Sequence, residues 1–358
     1  VLKFFLTFYF LLFYPLIVKG VIKIYILLMT FINISYAQEK KPKFIIKWGT
    51  IAPEATRWGD IVNRASKEIE KKTNGDIKNI WYFGAVMGDE PDLVRKAKLG
   101  QLHGLAVLSV GLSKIAPETI VFSLPYLYDN YKEVDCVLDR AWGMIEKIFT
   151  EKGFVPLGRA DVGFSVFFSK KEIKNFDDFG KIKFWLWSGV EAVNLAADFY
   201  GIKTLVPLSL PDVYTALQTG LIDTVFATYY TCIALQWYNQ TQYMTDVEKA
   251  GGAYAPAILL LKKDIYDALP EDYKMIIKET VNKYLPELRE GLRKDEELAK
   301  QALIEKGMKI MEQSPEFIKE VQEKVNELYQ KMVGKYYPQW LLNGILQIRN
   351  ECRASLHK

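Results

Sequence analysis

Only two histidines, His103 and His357, and three cysteines, Cys136, Cys232 and Cys352, occur in the chain. That scarcity removes whole classes of chemistry. A Ser–His–Asp or Cys–His relay would have to use His103. It follows Gly100-Gln101-Leu102 at a helix-to-strand turn, where a structural or surface histidine is expected. His357 is next to last. No Cys-x-x-Cys pair and no His-Glu-x-x-His helix is present, so no metal site is expected. Phosphate-cradling glycine loops are missing too, and no cofactor is expected. The adjacent carboxylates Asp89-Glu90 and Asp177-Asp178 point apart; they read as helix-start acids favoured by the macrodipole. The chain reads as a binder and not as an enzyme, with no catalytic residue.

Charge of one sign is lacking as well. Taking the three lysines of residues 1–37 from the 47 basic residues leaves 44 against 43 acidic ones. Nucleic-acid binding needs a concentrated basic patch, so nucleic acid is not expected as a partner. Three scattered cysteines make no disulfide framework. Buried free thiols are the expectation, although an oxidising compartment also permits one pairing.

Residues 1–37 hold Lys3, Lys19 and Lys23, no acidic residue, and apolar runs at 4–18 and 24–34. Ser35-Tyr36-Ala37 is a small-x-small cleavage pattern. The stretch reads as a secretory signal, with 21–37 supplying its core and site and the upstream piece an over-extended start. The run at 4–18 is short for a membrane span and holds Pro15. An uncleaved anchor is the alternative. Both readings place the folded part outside the cytoplasm. About 320 residues then remain, enough for two lobes.

From residue 44 onward strands and helices alternate. Strand patterns at 44–49, 77–83 and 105–110 enclose helices at 53–72 and 89–99, a β-α-β-α-β order that predicts a crossover sheet. Residues 156–159 and 163–168 read as strand material crossing into a second lobe. A strand at 183–187, a helix from Glu191 to Phe199 and a return strand at 257–261 follow. Residues 271–311 read as nearly continuous helix, interrupted only by Pro286. Further helices are expected at 315–333 and 339–356. Residues 206–228 are the most organised stretch. Ser209 is placed to cap a helix with Pro211 in its first turn. Val213, Ala216 and Leu217 share one face, and Gly220 stands where a left-handed cap is expected.

That stretch contains Ala216-Leu217-Gln218-Thr219-Gly220-Leu221-Ile222-Asp223. Together with Met87-Gly88-Asp89-Glu90, Leu99-Gly100-Gln101-Leu102-His103-Gly104 and Ser123-Leu124-Pro125-Tyr126-Leu127-Tyr128, in that family's order, it resembles the DctP-like solute-binding proteins of TRAP (tripartite ATP-independent periplasmic) transporters. The resemblance runs from about residue 44 to about 303. It implies an α/β, two-lobed periplasmic binding protein, type II-like, with a hinge, a long bracing helix and a C-terminal helical extension. The corresponding bounds are 38–162 with 253–268 for lobe I, 163–252 for lobe II, 269–311 for the long helix and 312–358 for the C-terminal helices. It also implies a periplasmic location, a small organic ligand and TRAP membrane subunits as partners. The apolar tail helix around Trp340-Leu341-Leu342 leaves monomer and dimer both open.

Members of that family hold a carboxylate with an arginine that corresponds here to Trp185; a second arginine position corresponds to Ser165. Neither is charged in this chain. An arginine fork makes two charge-assisted bonds that other side chains do not replace, whereas tryptophan offers an apolar face and one donor. The expected ligand therefore has an apolar or aromatic body. Trp185 and Trp187 share a strand face and either line the cleft or pack the lobe. Phe226, Ala227, Thr228 and Tyr229 are further candidates in the second lobe; Glu54, Arg57, Phe83 and Val110 are the candidates in the first. The alternatives are an organic-acid binder using another arginine, Arg57 or Arg159, and a sensor that presents its ligand to a signalling partner.

Overall fold

The computed structural model describes residues 41–188 and 192–356. The expected signal, Glu191 and His357 lie outside the described residues. The first lobe begins with β1 (Phe44–Thr50), α1 (Arg57–Lys72), β2 (Ile77–Tyr82), α2 (Glu90–Lys98) and β3 (Gly104–Leu108). β1 lies between β2 and β3 and runs parallel to both, as the alternation requires. Gly104 makes the close approach feasible: a Cβ there would stand 2.1 Å from the Trp48 ring. α3 (Ser109–Ile115) leaves the end of β3 directly. α4 (Tyr131–Arg140), capped by the Asn130 side chain, and α5 (Trp142–Glu151) complete the outer layer.

β4 (Phe154–Ser169) is one unbroken strand rather than two pieces. Its first part pairs with the return strand and its last part with the second-lobe sheet. Register shifts at Pro156/Gly158 and Asp161/Gly163 bend it between the two. The second lobe holds β5 (Lys183–Trp187), α6 (Ala192–Tyr200), β6 (Thr204–Leu208), α7 (Val213–Thr219), β7 (Thr224–Ala227), α8 (Tyr229–Ala234) and β8 (Tyr243–Met244). β9 (Ala253–Lys262) returns antiparallel between β3 and β4. The strand order is β2-β1-β3-β9-β4-β7-β5-β6.

α7 buries Val213, Ala216 and Leu217 and ends at Gly220 with φ 74°, as its pattern predicts. Its start differs. A 3-10 turn at Leu210–Asp212 precedes it, and the Ser209 hydroxyl bonds the Asp212 carboxylate instead of a helix amide. Asp223 anchors the strand start next door, accepting from Lys183 N–H at 2.7 Å.

α9 (Glu271–Glu305) runs for 35 residues with Pro286 inside it. Leu285, Leu288 and Leu292 pack into the first-lobe core, and Ala299 and Leu303 into the second. The helix stops at Glu305 rather than continuing to 311. Gly307 adopts φ 90°, and β10 (Lys309–Ile310) then joins β8. α10 (Pro315–Met332) is capped by Ser314, and α11 (Gln339–Leu356) closes the described chain. The expectation of three free thiols is corrected here. Cys136 of α4 and Cys352 of α11 form a disulfide, and Cys232 alone is free and buried. The two partners are 216 residues apart, a pairing that spacing does not reveal. Among the described residues no helix is long and apolar enough to cross a membrane.

Candidate ligand-binding cleft

A cavity of about 280 Å³ opens where the carboxyl ends of β3, β5 and β7 meet β4 and β9. Parallel strands deliver ligands to such a place because helices cover their faces. From the first lobe, Leu108, Ser109 and Val110 form one wall. From the second, Trp185, Trp187, Phe226, Ala227 and Thr228 form the other, and Ser165 of β4 and Tyr254 of β9 line it from the crossing strands. Among the described residues, none that lines the cavity carries a charged side chain.

The tryptophans contribute rings and not donors. Trp185 Nε1 donates to Leu208 O at 3.1 Å and Trp187 Nε1 to Asp89 Oδ2 at 2.7 Å. Their rings are 5.2 Å apart, and Trp237 meets Trp185 edge-on at 5.5 Å. The expected indole donor at position 185 is thus already committed to the backbone. Hydroxyls are largely internal as well. Ser109 and Ser123 bond each other at 2.9 Å, and Thr228 and Thr231 at 3.0 Å. Tyr254 donates to buried Asp161. The Ser165 hydroxyl makes no hydrogen bond within the protein among the described residues.

Four sequence candidates stand outside the lining. Arg57 is exposed and forms a two-pronged ion pair with Asp295 of α9, at 2.7 and 2.8 Å. Glu54 is exposed near Asn63. Phe83 stacks on Trp81, which stacks on Trp48. The Tyr229 ring is buried, with its hydroxyl between Thr245 O and Val247 N–H. Arg159 does not reach the cavity either; it is buried against Asp135 and Asp139. His103 is structural, with Nδ1 2.8 Å from Ile45 O.

Two carboxylates that the sequence does not mark as site residues fix the walls. Glu90 accepts from Leu108 N–H at 2.7 Å and Gly111 N–H at 2.6 Å, so it holds the turn that carries Val110. Glu296 of α9 accepts from Tyr230 N–H at 2.6 Å and Tyr229 N–H at 3.2 Å, just beyond Thr228. Gly163 leaves room for it, since a Cβ there would lie 2.7 Å from the Glu296 carboxyl carbon. Burial pushes both carboxyls up to about 8, against the pull of those amides. Among the described residues no cluster of His, Cys, Asp and Glu could hold a metal ion.

The sequence model of DctP, the bacterial extracellular solute-binding proteins of family 7, matches residues 48–335. The chain belongs to this family. DctP proteins of solved structure share its two-lobed fold. The sugar-acid-binding DctPAm of Advenella mimigardefordensis, crystallised with galactonate, aligns with a TM-score of 0.79 at 24% identity, over 87% of this chain and 99% of that one. A TRAP periplasmic solute-binding protein of Haemophilus influenzae RdAW with bound L-gulonate gives 0.78 at 22% identity, over 86% and 99%. A solute-binding protein of Verminephrobacter eiseniae is 30% identical over 216 residues, which is 59% of this chain and 62% of that protein. This chain is thus a bacterial extracellular solute-binding protein of the DctP family.

Proposed function

We propose that the chain is the extracytoplasmic receptor of a TRAP transporter, that it closes on a small, uncharged organic molecule with an apolar or aromatic body, and that it delivers this cargo to the membrane subunits. The observation that carries the reading is a cavity walled by tryptophan and phenylalanine, with no charged side chain among the described residues that line it. A carboxylate buried there without a cation would cost several kcal/mol, roughly, even with neutral partners. The volume, about 280 Å³, lies just below the usual range of about 300–1,000 Å³, which suits a compact ligand. Trp185, Trp187, Ser165, Val110, Phe226, Ala227 and Thr228 are the proposed contacts; the hinge falls where β4 and β9 cross between 38–162 and 163–252. Secretion through residues 1–37 places the receptor in the periplasm.

A second reading has its own support, because the two solved relatives hold sugar acids. Here a carboxylate would need Arg57 or Arg159 released from its acidic partners. Native mass spectrometry of the co-purified ligand, followed by calorimetry with that compound and with galactonate, separates the two. A neutral ligand, with no heat from galactonate, supports the proposal. Galactonate binding at micromolar strength overturns it.

A further inference from the structure

Asp89 does more than begin a helix. One carboxylate oxygen accepts from the N–H of Glu90 at 2.8 Å, the ordinary cap of α2. The other accepts two donors from the opposite lobe, Trp187 Nε1 at 2.7 Å and Leu210 N–H at 3.1 Å. These partners are 98 and 121 residues away. Asp89 is buried. Its neighbour Glu90 meanwhile grips the first-lobe wall through Leu108 and Gly111. Two adjacent acids therefore hold both walls of one cavity.

We propose that Asp89 is the positioning residue that couples lobe closure to the attitude of Trp187. Opening the lobes separates the carboxylate from both second-lobe donors, so these two bonds stabilise the closed form relative to the open one whether or not ligand is present. Closure also turns the indole N–H towards Asp89, and the cavity receives only the ring. Hydrogen bonds to an ionised acceptor are shorter and stronger than neutral ones, and here they are shielded from water. The inference rests on the two-lobed receptor reading and not on what the cargo is.

The test needs no ligand. Spin labels at Leu99→Cys and Leu221→Cys, exposed positions on the two lobes, report the interlobe distance in protein stripped of ligand by unfolding and refolding. The unsubstituted protein should show a resolvable closed population beside the open one, and the lack of any would overturn the proposal. Asp89→Asn keeps a single acceptor oxygen for the helix cap and the two second-lobe donors together, and Asp89→Ser keeps a cap but cannot span the gap. Each should lower the closed-to-open ratio at least tenfold. Trp187→Phe should do part of this, and adding it to Asp89→Ser should change little further. Wild-type distributions in both Asp89 variants would overturn the proposal. So would full additivity with Trp187→Phe, because Asp89 would then act as a helix cap alone. Failure of the receptor reading would appear separately, as absence of any bound solute.

Discussion

On the proposed reading, Trp185 is the residue on which cargo chemistry turns. Its ring faces the cavity while its N–H is spent on Leu208 O. Trp185→Arg would restore a fork and remove an apolar wall. The neutral ligand should then bind at least tenfold more weakly, about 1.4 kcal/mol, and galactonate should begin to bind. Calorimetry with both compounds checks this. Ser165 offers a hydroxyl with no hydrogen-bond partner among the described residues; Ser165→Ala should weaken binding by about 1 kcal/mol, again by calorimetry, while the thermal midpoint stays put. The residue scale is also where sequence reading stops short. Arg57 reads as a candidate because it starts α1 just after the first strand. Its fate depends on Asp295, 238 residues away, and no local pattern encodes that pairing. Glu90, which reads only as a helix-start acid, and Glu296 are not marked as wall supports because their partners are backbone amides, which leave no letter in the sequence.

At the scale of elements, propensity and periodicity served well. The alternation of β1, α1, β2, α2 and β3, the Gly220 cap and the extent of α11 were legible from capping residues and apolar spacing. The end of α9 was not. Residues 306–311 contain apolar Met308, Ile310 and Met311 that fit a helix pattern, yet β8 offered an edge and Gly307 allowed the turn. The disulfide between α4 and α11 was hidden by distance along the chain. It closes a very long loop, so the chain-entropy argument gives it a stabilisation of about 5 kcal/mol, with about 2–4 typical of measured cases. Replacing Cys136 and Cys352 together by alanine should lower unfolding stability by about 2–5 kcal/mol. Denaturant titration, with and without reductant, measures it: reductant should affect the unsubstituted protein and leave the double variant unchanged.

For the molecule as a whole, Glu90 and Glu296 set a pH dependence. In the folded chain their carboxyls protonate near pH 8; the ordinary glutamate value is 4.5. Between those values the folded state holds protons that the unfolded state has released. Stability from these two groups is therefore full below pH 4.5 and declines as pH rises through 8. Glu68, held down to about 2 by Lys283 and Lys72, is lost only in acid and lies outside this window. Unfolding free energy should fall from pH 5 to 9, and Glu296→Gln should flatten that slope. A slope unaltered by the substitution would remove Glu296 from the account.

β4 passes through both lobes without a break, with β9 paired beside it past the bulge at Asp161/Gly163. A hydrogen-bonded ladder resists sliding of one strand along the other. What remains soft is torsion and flexure about a single line across the pair. On the receptor reading, capture and release would retrace one arc, and the speed of that swing should be governed by the stiffness of this ribbon and of α9 beside it rather than by the slack of a linker.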